Sequence, residues 1–259
     1  IFGKFAETKF PRPIQGIINR GFAKAFNISF DHFRSIEYYD SINSLFTREL
    51  LIPRSFESDK NSIISPADSK LLEIATIQNG KIYQVKGNEY NLDELLGFDT
   101  KQELEGFKFL NFYLSPQDYH RFHSPLDMKI VQCTYISGSL YPVNAPALKM
   151  FPDLFSKNER VVLEGITEHG KRIFLIFVGA LNVGKIVINF EKSINTNSSK
   201  DNIEVYKYEN LSIKKGEEIG YFKMGSSIVM IMENINSDLK TPAKVRFGDT
   251  IGRMEDGEQ

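Results

Sequence analysis

Apolar residues recur in short runs along most of the chain, and this pattern predicts a protein built mainly from β-strands. Gly, Pro, Asn and Asp separate the runs, which is typical of strands joined by turns. Residues 91–96 are expected to form one helical turn. We therefore predict an α+β fold, mainly antiparallel β, with barrel-like closure. The predicted strands are residues 70–76, 81–86, 110–114, 129–136, 161–166, 172–178, 185–190, 228–232 and 243–247.

The beginning of the chain has a helical pattern instead. Pro13 suits the first turn of a helix, and a second short helix is expected at 41–50, closed by Pro53. We divide the chain into an N-terminal helical segment, residues 1–52, and a β-rich domain, residues 53–259. The apolar positions that follow Pro13 at helical spacing are Ile14, Ile17, Ile18, Phe22, Ala25 and Phe26.

Charge within this segment is one-sided, because residues 1–27 contain five Lys or Arg against Glu7 alone. A basic amphipathic helix can lie on an anionic membrane surface. The alternative is that the helix packs on the protein's own core. The pattern leaves both open.

Composition narrows the classes of function. The net charge of −1 gives no overall field for nucleic acid. Cys133 is the only cysteine, so the chain cannot form an intrachain disulfide. The longest uncharged apolar run, residues 173–184, is too short to cross a bilayer.

One glycine pattern occurs twice. Residues 216–220 and 248–252 share the form G-[DE]-x-I-G. Each copy is predicted to form a tight turn with one inward Ile, Ile219 and Ile251. Such turns recur in compact antiparallel β folds, which supports the predicted closure.

The first candidate for chemistry is a serine at the start of a buried strand. Gly225-Ser226-Ser227 precedes the apolar run 228–232. Because Gly225 has no Cβ, the chain can adopt a strained or left-handed conformation there. The structural alternative is an ordinary turn into a strand.

Two of the four histidines, His120 and His123, lie in residues 115–125. Ser115 and Pro116 favour a helix start. One or two helical turns would place both imidazoles on one face, where they could move protons near neutral pH. A solvated or structural pair is the alternative. No metal is expected, since further ligands are lacking.

Asp68 follows Pro66-Ala67 and precedes a predicted strand, so it either makes a turn or orients a histidine. Ser226, one histidine and Asp68 would form a nucleophile, base and orienter. A hydrolase with an intact Ser226 is therefore open, although Ser226 does not lie in G-x-S-x-G. A non-enzymatic binding module is a second alternative.

Taken together, these stretches resemble the phosphatidylserine decarboxylases, a pyruvoyl-dependent and self-processing family. The resemblance extends over nearly the whole chain, in family order. Ser69 and Ser227 depart from the glycine and threonine usual in the family, and Met224 replaces its leucine. The motifs that carry the resemblance are residues 46–48, 66–68, 113–123, 142–144, 158–160, 178–184, 215–220 and 225–226.

The resemblance implies that the chain cuts itself between Gly225 and Ser226. His123, oriented by Asp68, would deprotonate the Ser226 hydroxyl, which attacks the Gly225 carbonyl. The products would be a β subunit, residues 1–225, and an α subunit, residues 226–259, that begins with a pyruvoyl group derived from Ser226.

The same resemblance implies that this pyruvoyl group, a covalent cofactor, serves the decarboxylation of phosphatidylserine to phosphatidylethanolamine. His120 would protonate the product carbanion. The implied partners are phosphatidylserine and an anionic membrane surface, without nucleic acid, and a homodimer is left open. The implied location is peripheral, at the cytoplasmic face of the cell membrane.

Overall fold

A computed structural model gives the fold of the chain. The predicted features at residues 84–86, 144 and 181–184, and Met224, lie outside the described residues. The structure describes residues 2–83, 89–100, 103–143, 153–180, 185–194, 196, 202–223 and 225–255.

The described helices are short, and three of them lie in the first 46 residues. The predicted helix after Pro13 is found, with Pro13 in its first turn. Helix α3 begins with a capping box between Ser41 and Ser44 and ends at Phe46, earlier than expected. The helical turn predicted at 91–96 is confirmed by α4. The helices are α1 (Phe2–Glu7), α2 (Arg12–Phe26), α3 (Ile42–Phe46), α4 (Leu92–Leu96) and α5 (Leu154–Lys157), with a 3-10 turn at Ile36–Tyr38.

Strands form most of the remaining described chain. Each predicted strand is found, the one at 81–86 only for its described part. The prediction took β6 for a helix and missed the long strand β11, whose side chains are mostly polar and partly exposed. It also missed the shorter strands β1, β4, β12, β14 and β16. The strands are β1 (Ser62–Ile64), β2 (Ser69–Gln78), β3 (Lys81–Tyr83), β4 (Glu89–Asn91), β5 (Lys108–Leu114), β6 (Arg121–His123), β7 (Met128–Ile136), β8 (Arg160–Thr167), β9 (Arg172–Gly179), β10 (Lys185–Ile188), β11 (Ile203–Ile213), β12 (Glu218–Lys223), β13 (Ser226–Met232), β14 (Ile235–Asn236), β15 (Ala243–Val245) and β16 (Thr250–Met254).

Ten of these strands form one antiparallel sheet in the order β11-β7-β8-β9-β13-β5-β2-β3-β4, with β15 paired to β2. The expected barrel-like closure is not found: within the described strands, the edge strands β11 and β4 do not pair with each other. The β4 end continues into α4, whose Leu92, Leu95 and Leu96 are buried. Strand β13 lies near the middle, between β5 and β9.

Two small sheets accompany the large one, β10-β12-β6 and β1-β16-β14. Alternate residues of β13 belong to different cores, as expected for a strand buried on both faces. Ile228 and Met230 share a core with Phe122 of β6 and Phe222 of β12. Val229 and Ile231 join a second core with the leucines of α4. The small sheet that contains β6 therefore packs on the Ile228 face of β13.

The N-terminal helices pack around a core of their own. Its members are Ala6, Phe22, Ala23, Ile28, Tyr39, Ile42, Leu45 and Phe46.

Helix α2 does not turn its whole apolar face inward. It buries Gln15 and Asn19, and their amides are satisfied because Gln15 donates to Asn19 and Asn19 donates to the carbonyl of Tyr39, both at 2.8 Å. Ile14 and Ile17 remain 50% and 65% exposed. Ile18 and Phe22 of the same predicted face pack in the N-terminal core, so this face is only partly turned to the protein's own core.

Candidate active site

Ser226 is the first residue of the central strand β13. Its backbone is paired with Leu114 on one side and Gly179 on the other. The side chain is fully buried and lies on the same face as Ile228 and Met230. Its hydroxyl has no hydrogen-bond partner within the described part of the chain. A buried hydroxyl without a partner is costly to keep, which marks this position as a candidate for chemistry.

The residue before it has a conformation that favours glycine. Gly225 has φ of +26°, in the region that side chains other than glycine rarely adopt. Its carbonyl carbon forms the peptide bond with Ser226. The absence of a side chain at this position leaves that carbon open to attack by the neighbouring hydroxyl.

Residues 115–123, which we call the histidine turn, follow directly from Leu114, the strand partner of Ser226. The helix predicted here is wrong. Asp118 N–H donates to the Ser115 carbonyl, Ser115 N–H donates to Asp118 Oδ2 at 2.7 Å, and the chain then enters β6. The two histidines are therefore not on one helical face, and each has its own surroundings.

His123 is held in one tautomer. Its Nδ1 lies 2.9 Å from the Gly216 carbonyl oxygen, and because a carbonyl only accepts, Nδ1 carries the hydrogen. Its Nε2 lies 3.0 Å from the Tyr119 hydroxyl, which donates to it. Nε2 is thus the atom with the free electron pair, as a general base requires.

Asp68 does not hydrogen-bond directly to His123, since both nitrogens of the ring have other partners. Its carboxylate forms a bidentate ion pair with Arg54 and accepts the Phe247 N–H at 2.9 Å. The Phe247 ring stacks on His123 with centroids 3.7 Å apart. Asp68 therefore reaches the imidazole indirectly, through Phe247 and through Arg54, whose guanidinium lies over the Tyr119 ring.

The two G-[DE]-x-I-G turns meet at this histidine. Gly216 of the first supplies the carbonyl that orients His123, and Phe247 directly precedes Gly248 of the second. Both first glycines have positive φ, +78° and +96°, and Ile219 and Ile251 are buried as expected. The sequence pattern predicted the turns but carried no sign that they bind a histidine.

His120 is fully buried and packs against Phe46, with ring centroids 3.8 Å apart and the ring planes tilted by 40°. Its Nδ1 donates to the Asp118 carbonyl at 2.8 Å. Its Nε2 has no hydrogen-bond partner among the described residues. This nitrogen and the Ser226 hydroxyl are thus two buried polar atoms without partners.

Burial sets the protonation of the site. It lowers the pKa of His120 to about 3 and that of His123 to about 4. Both imidazoles are therefore neutral near pH 7. Burial also raises the pKa of Asp118 to about 6, although the Ser115 N–H opposes this shift, and it raises the pKa of Tyr119 above its usual range.

Sequence reasoning missed several contacts of the site. Phe46, Arg54, Tyr119 and Phe247 lie against the predicted residues. Phe46 and Tyr119 stood inside quoted motifs, so only their partners were unknown. Phe247 is distant in sequence from His123, and nothing in the sequence links them. In the described ranges, no group of three or more His, Cys, Asp or Glu side chains is arranged to hold a metal ion.

Comparison with known proteins decides the family. The sequence model of the phosphatidylserine decarboxylase family matches residues 42–253. The chain belongs to this family. A phosphatidylserine decarboxylase proenzyme of Campylobacter jejuni is 44% identical over 259 residues, which cover 97% of this chain and 96% of that protein. A proenzyme of the same name from Helicobacter pylori is 41% identical, over 98% of this chain and 95% of that protein.

More distant relatives carry the same name. One from Francisella philomiragia is 37% identical over 93% of this chain and 86% of that protein. These phosphatidylserine decarboxylases give no support to the alternative of a hydrolase with an intact serine.

The residues of this chain fit the pyruvoyl group on which the family depends. The fit rests on the unpartnered hydroxyl of Ser226, the positive φ of Gly225 and the unpartnered Nε2 of His120. No additional ligand set is needed to hold the group, because it is part of the chain.

Proposed function

We propose that Ser226 is the residue that becomes the pyruvoyl group, and that Asp68, His120 and His123 act in its formation and use. The chain is a pyruvoyl-dependent carboxy-lyase that converts phosphatidylserine to phosphatidylethanolamine. The observation that carries the assignment of the site is the buried, unpartnered Ser226 hydroxyl directly after a glycine with positive φ.

His123 serves as the base for self-cleavage. Its Nε2 accepts the proton of the Ser226 hydroxyl while the oxygen attacks the Gly225 carbonyl carbon. The bond between that carbon and the Ser226 nitrogen then breaks and the nitrogen takes up a proton, so the peptide becomes an ester. Loss of the Ser226 α-proton to a base expels the Gly225 carboxylate, and the dehydroalanine left at position 226 is hydrolysed to the pyruvoyl group with release of ammonia. The Tyr119 hydroxyl occupies Nε2 in this structure, so this hydrogen bond must open before Nε2 accepts the serine proton.

Asp68 is a positioning residue in this scheme. It fixes the backbone of Phe247, whose ring supports one face of the His123 imidazole. The Gly216 carbonyl fixes the tautomer. The aspartate therefore affects the base through packing and not through a direct hydrogen bond.

His120 serves the later reaction. The pyruvoyl group supplies the electron sink for decarboxylation. His120 Nε2 holds no hydrogen in the resting tautomer, so the imidazole first takes up a proton and then delivers it to the product carbanion. The buried, unpartnered Nε2 supports this role, because a polar atom left open at a site is available to substrate.

Paired serine variants test the assignment of Ser226. In Ser226→Ala, we expect one full-length chain and no phosphatidylethanolamine. Ser227→Ala is the matched control, because its hydroxyl is equally buried and also lacks a partner within the described residues; it should yield two fragments. Denaturing gels and intact mass measure the outcome. Two fragments from Ser226→Ala would exclude this residue as the nucleophile.

We also propose that the N-terminal segment, residues 1–52, docks the β-rich domain on an anionic membrane at the cytoplasmic face. Ile14 and Ile17 of α2 are exposed, and Arg20 and Lys24 lie beside them on the helix. This combination suits an interfacial helix. No described helix is long and apolar enough to cross a membrane.

Vesicle binding tests this proposal. Ile14→Ser with Ile17→Ser should weaken sedimentation with phosphatidylserine-containing vesicles by about tenfold or more, since each change removes apolar burial worth about 1–2 kcal/mol. Ile203→Ser is the matched control, because Ile203 is 55% exposed on β11. Equal binding by all three proteins would show that α2 is only a structural part.

A further inference from the structure

A cavity of about 330 Å³ lies where the N-terminal segment meets the histidine turn. Arg34, Arg48 and Arg121 line it together with Tyr38 and Tyr39. We call it the arginine cavity. Thr47, Arg48 and Arg121 of its wall lie in the motifs described above, but none of the roles assigned above uses the cavity.

Arg48 is the unusual member of the cavity wall. The residue is only 3% exposed, and its Nη2 donates to the carbonyls of Gln117 and Asp118. Its Nε and Nη1 have no hydrogen-bond partner in the described parts of the chain, and neither has the hydroxyl of Tyr39. Burial lowers the pKa of Arg48. A buried guanidinium with two open donors is costly unless an anion completes it.

The other charged side chains of the cavity wall do not satisfy the open donors of Arg48. Arg121 is already paired with Glu218 and Glu49, and Asp40, the second carboxylate of the wall, is paired with Lys9. Arg34 lies over the Tyr38 ring. Within the described ranges, neither Arg34 nor Arg48 forms an ion pair with a carboxylate. The cavity wall therefore holds two guanidinium groups without a carboxylate partner in the described ranges, Arg34 exposed and Arg48 buried over the Phe33 ring.

The cavity is directly connected to the proposed proton donor. The Asp118 carbonyl accepts both Arg48 Nη2, at 3.2 Å, and His120 Nδ1, at 2.8 Å. Phe46, whose ring packs against His120, lies two residues before Arg48. An anion held by Arg48 would thus lie beside the group that acts on substrate.

We propose that the arginine cavity binds the phosphodiester of the phospholipid substrate, with Arg34, Arg48 and Tyr39 as its hydrogen-bond donors. This inference rests on the proposed decarboxylase function. Guanidinium forks match the paired oxygens of a phosphate.

The substrate carboxylate is a poorer occupant of the same cavity. It loses its charge as carbon dioxide departs, so an arginine that binds it would stabilise the ground state more than the transition state. The phosphodiester keeps its charge throughout the reaction, so its binding positions the substrate without such a cost.

A binding titration tests the proposal without turnover. The full-length Ser226→Ala chain is titrated calorimetrically with glycerophosphoserine, which has the phosphodiester but no acyl chains, and separately with inorganic phosphate. Arg34→Gln and Arg48→Lys should each raise the Kd for glycerophosphoserine about tenfold, as expected for the loss of one charge-assisted, bidentate contact. Lys129→Gln, an exposed change on β7, should leave the Kd unchanged.

Kinetics of the processed enzyme provide a second readout. Arg34→Gln should raise KM for phosphatidylserine in detergent micelles about tenfold, with kcat within twofold and self-cleavage at the normal rate. Because Arg34 is exposed, this variant tests the cavity even where Arg48→Lys fails to fold.

Three results would overturn the proposal. The first is an unchanged Kd and an unchanged KM in Arg34→Gln. The second is binding of inorganic phosphate without binding of glycerophosphoserine. The third is weaker binding of Arg34→Gln to anionic vesicles with no change in its Kd for glycerophosphoserine. An unmodified enzyme that forms no phosphatidylethanolamine would instead contradict the proposed function, while the titration would still report on the cavity.

Discussion

At the scale of single residues, the site separates two imidazoles that are only three positions apart. His123 is held by the Gly216 carbonyl, Tyr119 and Phe247, whereas His120 is held by the Asp118 carbonyl and Phe46. Both rings are neutral near pH 7 because burial lowers their pKa values. Different surroundings support different tasks for the two residues.

The first prediction concerns this division of labour. His120→Ala should still cleave itself, while turnover per processed molecule falls about 10²–10⁴-fold, the usual cost of losing a general acid. Fragment formation on a gel and phosphatidylethanolamine per processed chain measure the two steps. The matched control is His169→Ala, an exposed histidine, which should retain both. A His120→Ala chain that never cleaves would assign both imidazoles to processing.

The second prediction follows from the lowered pKa values. Below about pH 6.5 an unfolded chain protonates its histidines, whereas folded His120 and His123 resist protonation down to about pH 3 and 4. The unfolded state then binds more protons, so stability falls on acidification from about pH 6.5 to 4. Asp118 opposes this between about pH 4 and 6, because it keeps a proton that the unfolded chain has released.

Urea unfolding of Ser226→Ala between pH 7.5 and 4.5 measures the net effect. Introducing His120→Phe should remove up to about 1.4 kcal/mol per pH unit of the acid destabilisation. His169→Gln should leave the slope unchanged. An equal pH dependence in the parent and in His120→Phe would show that His120 titrates as it does in the unfolded chain.

At the scale of elements, the small sheet β10-β12-β6 carries His123 at the end of β6, and Phe122 beside it packs in the core that contains Ile228 of the central strand. The second glycine of the first G-[DE]-x-I-G turn lies in β12 at a close approach. A Cβ on Gly220 would lie 1.9 Å from the Val187 carbonyl oxygen of β10 and 3.0 Å from the Phe122 ring. This position therefore requires glycine because of its neighbours, not because of its φ.

The third prediction tests this contact. Gly220→Ala should force β12 away from β10, lower the free energy of unfolding by about 1–3 kcal/mol and slow self-cleavage, because β12 pairs with the strand that carries His123. Gly21→Ala in α2 is the control, since nothing lies within 4 Å of its added methyl. Normal cleavage and stability in Gly220→Ala would show that the two strands adapt easily.

The elements also show how far sequence reasoning reaches. Apolar patterns predicted most strands, because burial of one face leaves an alternation and burial of both faces leaves a continuous apolar run, as in β9 and β13. The pattern failed at β6, where Ser115 and Pro116 satisfied the local rules for a helix start. There the reciprocal hydrogen bonds of Ser115 and Asp118 formed, but pairing of β6 with β12 took the chain into a strand. The local signal for a helix start at Ser115 and Pro116 carries no information about the pairing of β6 with β12.

The site was predictable to a similar extent. The quoted motifs contained Asp68, His120, His123 and Ser226, and the roles given to them remain predictions. The intervening contact of Phe247 with both Asp68 and His123 could not be inferred, since the three residues are far apart in sequence. The same limit applies to the outward position of Ile14 and Ile17, which depends on how Gln15 and Asn19 are satisfied.

At the scale of the whole molecule, the strands within residues 226–255 pair with strands from the rest of the chain. β13 lies between β5 and β9, β15 pairs with β2, and β16 pairs with β1. Cleavage at Gly225–Ser226 would therefore cut one peptide bond and leave these strand pairings in place.

The fourth prediction is that the two fragments stay together after cleavage. Processed protein should elute in size-exclusion chromatography at the same volume as full-length Ser226→Ala, and should separate only in concentrated guanidinium. Elution of the smaller fragment on its own under native conditions would contradict the interleaved arrangement.

The position of Ser226 in the central strand also bears on the working life of each molecule. A catalytic group made from this residue cannot dissociate and be replaced from a cellular pool, as a diffusible coenzyme can. If its carbonyl is lost through a side reaction with an amine or a reductant, that molecule has no route to repair. The cell would have to synthesise a new chain, so its decarboxylation capacity would follow the rate of protein production and would not depend on vitamin supply.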